Sequence, residues 1–247
     1  MPMDPRDRFT GLAATYQRHR PSYPAALFDW LIALFPPGGV RDVADIGCGT
    51  GISTRLLAAR GLDVVGVDPN EDMLVAARAE GGGPRYVRAP AEATGLAAVS
   101  VDLVTCAQSF HWFDADRAFT EFARILRVGG WCAAWWNDRA SSPLNDDYER
   151  LLRTYSEEYV RLFPGDARRS IHPTSALADL RAATFPNAQR MDRDGFVGRV
   201  ASSSYVQHGL ARRDEFFREI DALFALHARG GEVEMAYDCR VFAWSPR

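Results

Sequence analysis

The sequence predicts an α/β protein with an open parallel sheet, and three observations carry that prediction. First, Val43-Ala44-Asp45-Ile46-Gly47-Cys48-Gly49-Thr50-Gly51 runs from an apolar stretch through an acid into three glycines at alternate positions. Second, Ile52 to Arg60 follows at once with Ile52, Leu56 and Ala59 on one helical face, so the unit reads strand, tight turn, helix. Third, another apolar run, Val64-Val65-Gly66-Val67, ends in Asp68, and apolar runs keep alternating with helical stretches as far as Trp136.

Each element has its own signal. Pro24 to Phe35 reads as a helix, with Leu27, Trp30, Leu31 and Leu34 at helical spacing and Pro36-Pro37-Gly38-Gly39 ending it. The first strand and the glycine turn follow, and residues 63–67 form the second strand. Asn70 to Glu80 reads as a helix capped by Asn70 and broken by Gly81-Gly82-Gly83. Arg85 to Ala89 is a short third strand, followed by the loop Pro90-Ala91-Glu92. Val101 to Cys106 is the fourth, and it runs into Ala107-Gln108-Ser109-Phe110-His111-Trp112-Phe113-Asp114. Asp114 caps a helix that extends to about Arg127 and is ended by Gly129-Gly130. Trp131 to Trp136 is the fifth strand, stopping at Asn137-Asp138. Leu144, Tyr148, Leu151, Leu152, Tyr155, Tyr159 and Leu162 then form one helical stripe, either a cap over the substrate side or a core helix with tyrosines at its edge. Buried tyrosine hydroxyls there need polar partners. Ser175 to Ala183 reads as a short helix, Phe196 to Val206 and Arg212 to Ala228 as longer ones, and the alternation from Glu234 to Trp244 as a last strand.

The glycine turn points to a ligand. Glycine lets backbone approach a ligand with no Cβ between them, and the start of the following helix offers unpaired N–H groups. The spacing is G-x-G-x-G and not the G-x-G-x-x-G of dinucleotide sites. Asp45, just before Gly47, can face a cation, and Asp68, at the tip of the second strand, stands where a ribose diol is held. One acid for a cationic amino group and one for a ribose suit S-adenosyl-L-methionine better than a pyrophosphate. The plain alternative is a βα turn with no cofactor.

On these residues, Asp45-x-Gly47-x-Gly49-x-Gly51 with Asp68, the chain resembles the class I S-adenosylmethionine-dependent methyltransferases. The resemblance implies a Rossmann-like, doubly wound seven-stranded mixed sheet whose last strand is inserted antiparallel as a hairpin partner, with a helical substrate cap. It implies a single domain over 1–247, with an N-terminal lid segment at 1–36 and the cap within 138–210. Arg20-Pro21-Ser22-Tyr23-Pro24 is similar to the R-P-x-Y-P segment of one small-molecule branch. Phe110-His111-Trp112-Phe113-Asp114 resembles the F-H-W-F-D signature of the same branch, which includes trans-aconitate methyltransferase-like enzymes. The branch implies an N-terminal segment folded over the cofactor, with Tyr16 and Arg20 at its methionine end; the plain alternative is a packing arm that these two only tether. Met73, on the helix after Asn70, falls near the cofactor pocket. In related enzymes an Asp in the loop after the third strand holds the adenine; this chain has Pro90 there, which leaves the Ala91 backbone and Glu92 for that contact. A helix ending in a Ser-x-Ser-Tyr pattern implies that Ser202, Ser203 and Tyr205 face the substrate.

Composition bounds the rest. The 247 residues are 47% hydrophobic and 25% charged, as in soluble globular proteins. A net charge of −3 gives no sign of nucleic acid or an anionic membrane as partner. No run reaches the about 20 apolar residues of a membrane helix, and Met1 to Thr10 carries no apolar signal region, so a cytoplasmic protein is expected. Every basic residue is Arg, which removes lysine Schiff-base chemistry. Cys48, Cys106, Cys132 and Cys239 form no C-x-x-C pair, and no metal is expected. The sequence carries no signal for an oligomeric state.

Methyl transfer from a sulfonium needs alignment above all, and a hydroxyl nucleophile also needs a base. Ligands of open parallel sheets sit at the carboxyl ends of the strands, so topology puts Gln108 and His111 in the reaction crevice. His111 is the candidate catalytic residue, as base, substrate anchor or shape element, and Gln108 joins the cofactor-binding set. Asp114 and Asp116 suit helix capping rather than magnesium, and His19, His172, His208 and His227 have no metal spacing. Arg168-Arg169 is either an acid-binding pair or a solvated surface. The Asn/Asp-Pro-Pro-aromatic motif of nucleic-acid amino-methyltransferases is absent after the fifth strand. The expected activity is methyl transfer to a small-molecule acceptor, at oxygen first and at nitrogen or carbon next. Its rivals are a catalytically silent cofactor-binding module and a nicotinamide oxidoreductase.

Overall fold

The computed structural model describes residues 13–163 and 177–246. Two N-terminal helices, α1 (Ala13–His19) and α2 (Ala25–Ile32), lead into β1 (Asp42–Ile46). Then come α3 (Ile52–Ala58), β2 (Asp63–Asp68), α4 (Glu71–Ala79), β3 (Arg85–Arg88) and β4 (Val101–Ala107). A short 3-10 turn, Phe110–Trp112, precedes α5 (Ala115–Ile125) and β5 (Leu126–Arg139). The second half holds α6 (Pro143–Tyr155), α7 (Glu157–Leu162), β6 (Leu177–Met191), α8 (Arg193–Ala201), α9 (Ser204–His208), α10 (Arg213–His227) and β7 (Val233–Pro246).

The seven strands form one sheet in the order β3-β2-β1-β4-β5-β7-β6. β1 pairs in parallel with both β2 and β4, so the strand order reverses beside it, where doubly wound sheets bind ligands. β7 runs antiparallel between β5 and β6, as the family resemblance implies. Side chains alternate across the pleat. Trp135 on β5 meets Phe28 of α2 edge-on at 5.9 Å and shares an apolar cluster with Leu31 of α2 and Leu57 of α3, while its neighbour Trp136 belongs to a separate cluster with Phe122 and Ile125 of α5. A third apolar cluster unites Tyr148 and Leu152 of α6 with Phe196 of α8, Phe216 and Ile220 of α10, and Met235 of β7. The stripe from Leu144 is therefore the core of a helical layer standing over one end of the sheet.

Caps fall where side-chain chemistry favours them. Asn70 accepts from Met73 N–H and Asp114 from Arg117 N–H. Three local readings give way. Gly129 and Gly130 do not end α5; they lie inside β5, and α5 stops at Ile125 because Leu126 turns extended. A Cβ at Gly130 would stand 2.9 Å from Asp102 O, so close packing against β4 accounts for that glycine. The stretch expected as a helix at 175–183 is, where described, part of β6. Its Ala and Leu favour helix locally, but the backbone pairs with β7 at the sheet edge, with a bulge between Ala178 and Arg181. β5 also runs past Trp136 to Arg139, which carries that side chain over the crevice.

The stripe is also two helices and not one. At Ser156 the chain turns extended, and the Ser156 hydroxyl accepts from Tyr159 N–H at 3.1 Å to start α7 while donating to Tyr205 O at 2.9 Å. Ser156 is buried, so losing the hydroxyl strands both groups. Ser156→Ala is expected to lower stability by about 1–3 kcal/mol, read from urea unfolding at constant m-value.

Candidate active site

The glycine turn lies at the carboxyl end of β1. Gly47 and Gly51 are packing glycines: a Cβ would meet Ser109 Cβ at 2.5 Å at the first and Tyr86 Oη at 2.4 Å at the second. Gly49 differs. All three have a left-handed φ, +54° at Gly49, but only at Gly49 would a Cβ enter open space. That space belongs to two cavities that both reach Gly49.

Asp45 is not on either cavity wall. It is 0% exposed, and its oxygens accept from Ser53 Oγ at 2.6 Å, Thr54 Oγ1 at 2.7 Å and Thr105 Oγ1 at 2.9 Å. Burial pushes its pKa up, and the three hydroxyls oppose that shift. The expectation that Asp45 faces a ligand cation is corrected: its carboxylate ties α3 and β4 together beneath the turn. Asp68 does reach a cavity. Its Oδ2 accepts from Gly49 N–H and its Oδ1 from Asn70 N–H, both at 2.9 Å. Burial raises its pKa to about 6, held back by those two N–H donors.

One cavity, of about 400 Å³, is lined by Asp68, Asn70, Met73, Ala91, Glu92, Trp112 and Phe113. Glu92 has a structural bond as well, accepting from Asp114 N–H at 2.9 Å at the start of α5. The other cavity, of about 540 Å³, lies between the turn and the helical layer and holds Arg20, Tyr23, His111, Arg139, Glu149, Arg199, Ser204 and Tyr205. The two meet at Gly47, Gly49, Ala107, Gln108 and Trp112. Gln108 stands at this junction with φ +59°, a left-handed conformation that is costly for a residue with a side chain; its N–H is tied to Trp135 O at 2.9 Å.

The expected set is thus divided. Gly49 and Gln108 are at the junction; Asp68, Met73, Ala91 and Glu92 line the first cavity; Arg20 and His111 line the second. Gly51 and Asp45 lie behind the wall. Tyr16 belongs to α1, but its side chain lies outside the described residues, as do Arg168 and Arg169. Ser202 and Ser203 are fully buried, and Ser202 Oγ donates to Arg199 O at 2.7 Å; Ser204 and Tyr205 are the cavity residues of that segment. Among the described residues no group of His, Cys, Asp and Glu could hold a metal.

His111 has a defined tautomer when neutral. Trp136 Nε1–H donates to its Nδ1 at 3.2 Å, and its ring lies against Trp112 at 4.5 Å between centroids. A neutral ring that accepts at Nδ1 carries its proton on Nε2. The ring therefore suits a donor to an acceptor atom better than a base.

Sequence reasoning missed the charged floor of the second cavity. Arg139, at the end of β5, donates to Glu149 Oε2 at 2.6 Å and to Tyr205 Oη at 3.3 Å, and also bonds Tyr159 Oη. Tyr159 Oη in turn donates to Glu149. Position at the carboxyl end of a strand could have singled out Arg139. Nothing local marks Arg199, on α8.

The strand order, the switch point beside β1 and the glycine turn define a class I methyltransferase fold. Residues 44–134 match the family described as Methyltransferase domain. An uncharacterized methyltransferase of Mycobacterium tuberculosis is 44% identical over 131 residues, which are 53% of this chain and 52% of that protein. A Saccharomyces cerevisiae protein named as an S-adenosylmethionine-dependent methyltransferase is 32% identical over 171 residues, 64% of this chain and 57% of its own. A solved chain from Anaeromyxobacter dehalogenans, described as a Type II methyltransferase, superposes with a TM-score of 0.67 at 29% identity, over 91% of this chain and 96% of that one. The chain spans about half the length of the first curated relatives it matches. No helix among the described residues is long and apolar enough to cross a membrane.

Asp68 ties stability to pH. Its folded pKa, about 6, lies above the ordinary 3.8, so its contribution is fully present below pH 3.8 and is lost as pH rises to about 6. The stability of the wild type relative to Asp68→Asn is expected to fall between about pH 4 and 6 and to stay level above about pH 7, measured as paired urea midpoints.

Proposed function

We propose that this chain is an S-adenosyl-L-methionine-dependent methyltransferase that methylates a small molecule at oxygen, on a carboxylate or a hydroxyl. The observation that carries the reading is the pair of cavities meeting at Gly49 and Gln108, one with a carboxylate for a ribose, the other polar and charged. The open space at Gly49 and the Asp68 carboxylate fit such a cofactor, which would supply an electrophilic methyl group with a neutral thioether to leave. Asp68 would accept from the ribose, Met73 and Ala91 would flank the base, and Gln108 would stand at the methyl end. Arg20 would close over the methionine end.

The chain's own residues then align the acceptor, and alignment supplies much of such a barrier. His111 Nε2–H is suited to hold an acceptor oxygen. Residues 1–36 serve as a lid and the helices within 138–210 as a substrate cap; the lining of the second cavity by Arg20 and Tyr23 from the one, and by Glu149, Arg199 and Tyr205 from the other, supports this. The Arg20 to Pro24 and Phe110 to Asp114 segments support membership of the trans-aconitate methyltransferase-like branch. Four free, buried cysteines are in keeping with a cytoplasmic setting. The acidic net charge argues against nucleic acid as substrate.

Calorimetric titration of the whole chain with S-adenosylmethionine and, separately, NAD tests the class. Micromolar binding of the first alone is expected; binding of NAD alone, or of neither, sinks the reading. Gly49→Leu should remove that binding, since its side chain would fill the junction. Binding should also weaken below about pH 6, approaching about tenfold per pH unit, because the ribose needs the ionised carboxylate of Asp68. In a screen of acids, phenols and amines with labelled methyl groups, His111→Ala should lower turnover about tenfold or more while S-adenosylhomocysteine affinity stays within about twofold. Turnover within about twofold of wild type refutes a role for His111.

A further inference from the structure

We propose that Tyr205, set among the arginines of the second cavity, is the base that takes the proton from a hydroxyl acceptor during methyl transfer. This rests on the methyltransferase reading and narrows it to acceptors that carry a proton on the attacking oxygen.

The geometry starts from an imbalance of charge. Arg199 is 5% exposed, and its guanidinium donates to Tyr237 Oη and Ser203 Oγ, both at 3.1 Å. Among the described residues no carboxylate pairs with it. Burying a guanidinium with no anion is costly, so an anion must form or arrive beside it. Glu149 does not fill that role: it is taken by Arg139 at 2.6 Å, by Arg153 at 2.9 Å and by Tyr159 Oη. The other acids of the cavity are engaged elsewhere, Asp138 with Arg240 and Asp146 with Ser141.

Tyr205 is the group in position to supply the charge. Its Oη accepts from Arg139 at 3.3 Å, and Arg199, with the Ser203 hydroxyl that receives it, adds to the pull on the phenol proton. Its ring is held edge-on by Tyr159 at 4.9 Å and by Phe163 at 6.1 Å, and its carbonyl by Ser156. Burial alone would push the phenol up; Arg139, Arg199, the Ser203 hydroxyl and Arg20 outweigh it and bring it down to about 7. The phenols around it behave otherwise. Burial holds Tyr148 well above the usual range, and burial with the Glu149 bond raises Tyr159. His111 cannot serve in the same way while its Nδ1 lone pair accepts from Trp136.

The step balances. The acceptor oxygen bonds to the methyl carbon, the sulfur–methyl bond breaks with its electron pair going to the sulfonium sulfur, and the acceptor proton passes to Tyr205 Oη. Products are the methyl ether, the thioether and a neutral phenol.

Ultraviolet absorbance of tyrosinate in the ligand-free whole chain reads the ionisation directly. One tyrosine should ionise near pH 7, well before the rest. Tyr205→Phe should remove that phase, and Arg199→Met, which keeps the phenol, should move it upward. A first phase that begins only in the alkaline range, or that survives Tyr205→Phe, overturns the proposal. Calorimetry in buffers of different ionisation enthalpy adds a second readout. Just below that pKa, the cationic S-adenosylmethionine should release more protons on binding than S-adenosylhomocysteine, and Tyr205→Phe should abolish the excess; equal release overturns a base beside the methyl centre. If neither ligand binds, the methyltransferase reading fails while the absorbance titration still decides the ionisation. With a hydroxyl acceptor from the methyl-transfer screen, Tyr205→Phe should lower kcat about a hundredfold or more and flatten its pH profile, with S-adenosylhomocysteine affinity within about twofold; a loss under about threefold overturns the assignment.

Discussion

The buried carboxylate of Asp45 is the interaction on which the site depends. It draws one hydroxyl from β4 and two from the first turn of α3, so it fixes how the helix leaves the sheet. The backbone between β1 and α3 then has one path, with Gly47 and Cys48 N–H groups on Val67 O. That path puts Gly49 N–H on Asp68 and so couples the tips of two strands. A carboxylate without exposure survives because both of its oxygens accept hydroxyl hydrogen bonds.

A second constraint acts at the end of β4. The chain must leave the sheet beneath the turn, and Gln108 does so in a left-handed conformation tied to β5 through Trp135 O. Ser109 then donates to Ile46 O at 2.8 Å and packs where a Cβ at Gly47 would be. The strand ends are thus locked to each other from both sides of the switch point, and two cavities open on either side of the lock. Local strain held by surrounding structure is a feature of sites that position a ligand.

The helical layer works by different physics. Its outer part is an apolar core of leucines and aromatic rings, but the face toward the sheet carries guanidiniums and phenols. Arg139 lies over the rings of Tyr148 and Tyr159, at 5.2 and 5.5 Å from their centroids, which offsets part of its desolvation. The result is a polar cavity with more positive than negative side chains, enclosed by apolar packing that strengthens its electrostatics. An enclosure of this kind can hold a bound group in one orientation and keep water from it.

The sequence by itself determined the elements whose cause is local. Hydrophobic period placed β1 to β5 and their helices, side-chain oxygens marked Asn70 and Asp114 as caps, and glycine spacing with two acids located the turn. Gln108 and His111 were legible because topology alone brings the end of a central strand to the crevice. Tertiary structure decided whatever depends on distant partners. β6 is a strand because β7 pairs with it, against its own helical composition. Gly130 serves close packing against β4, and Ser156 breaks a continuous apolar stripe because Tyr205 O and Tyr159 N–H both need its hydroxyl. Asp45 turned inward because α3 and β4 supply hydroxyls 8 and 60 residues away along the chain. Arg199 and Tyr205 acquire their character only together with Arg139, since a charge's cost and a phenol's acidity are set by neighbours in space, not in sequence.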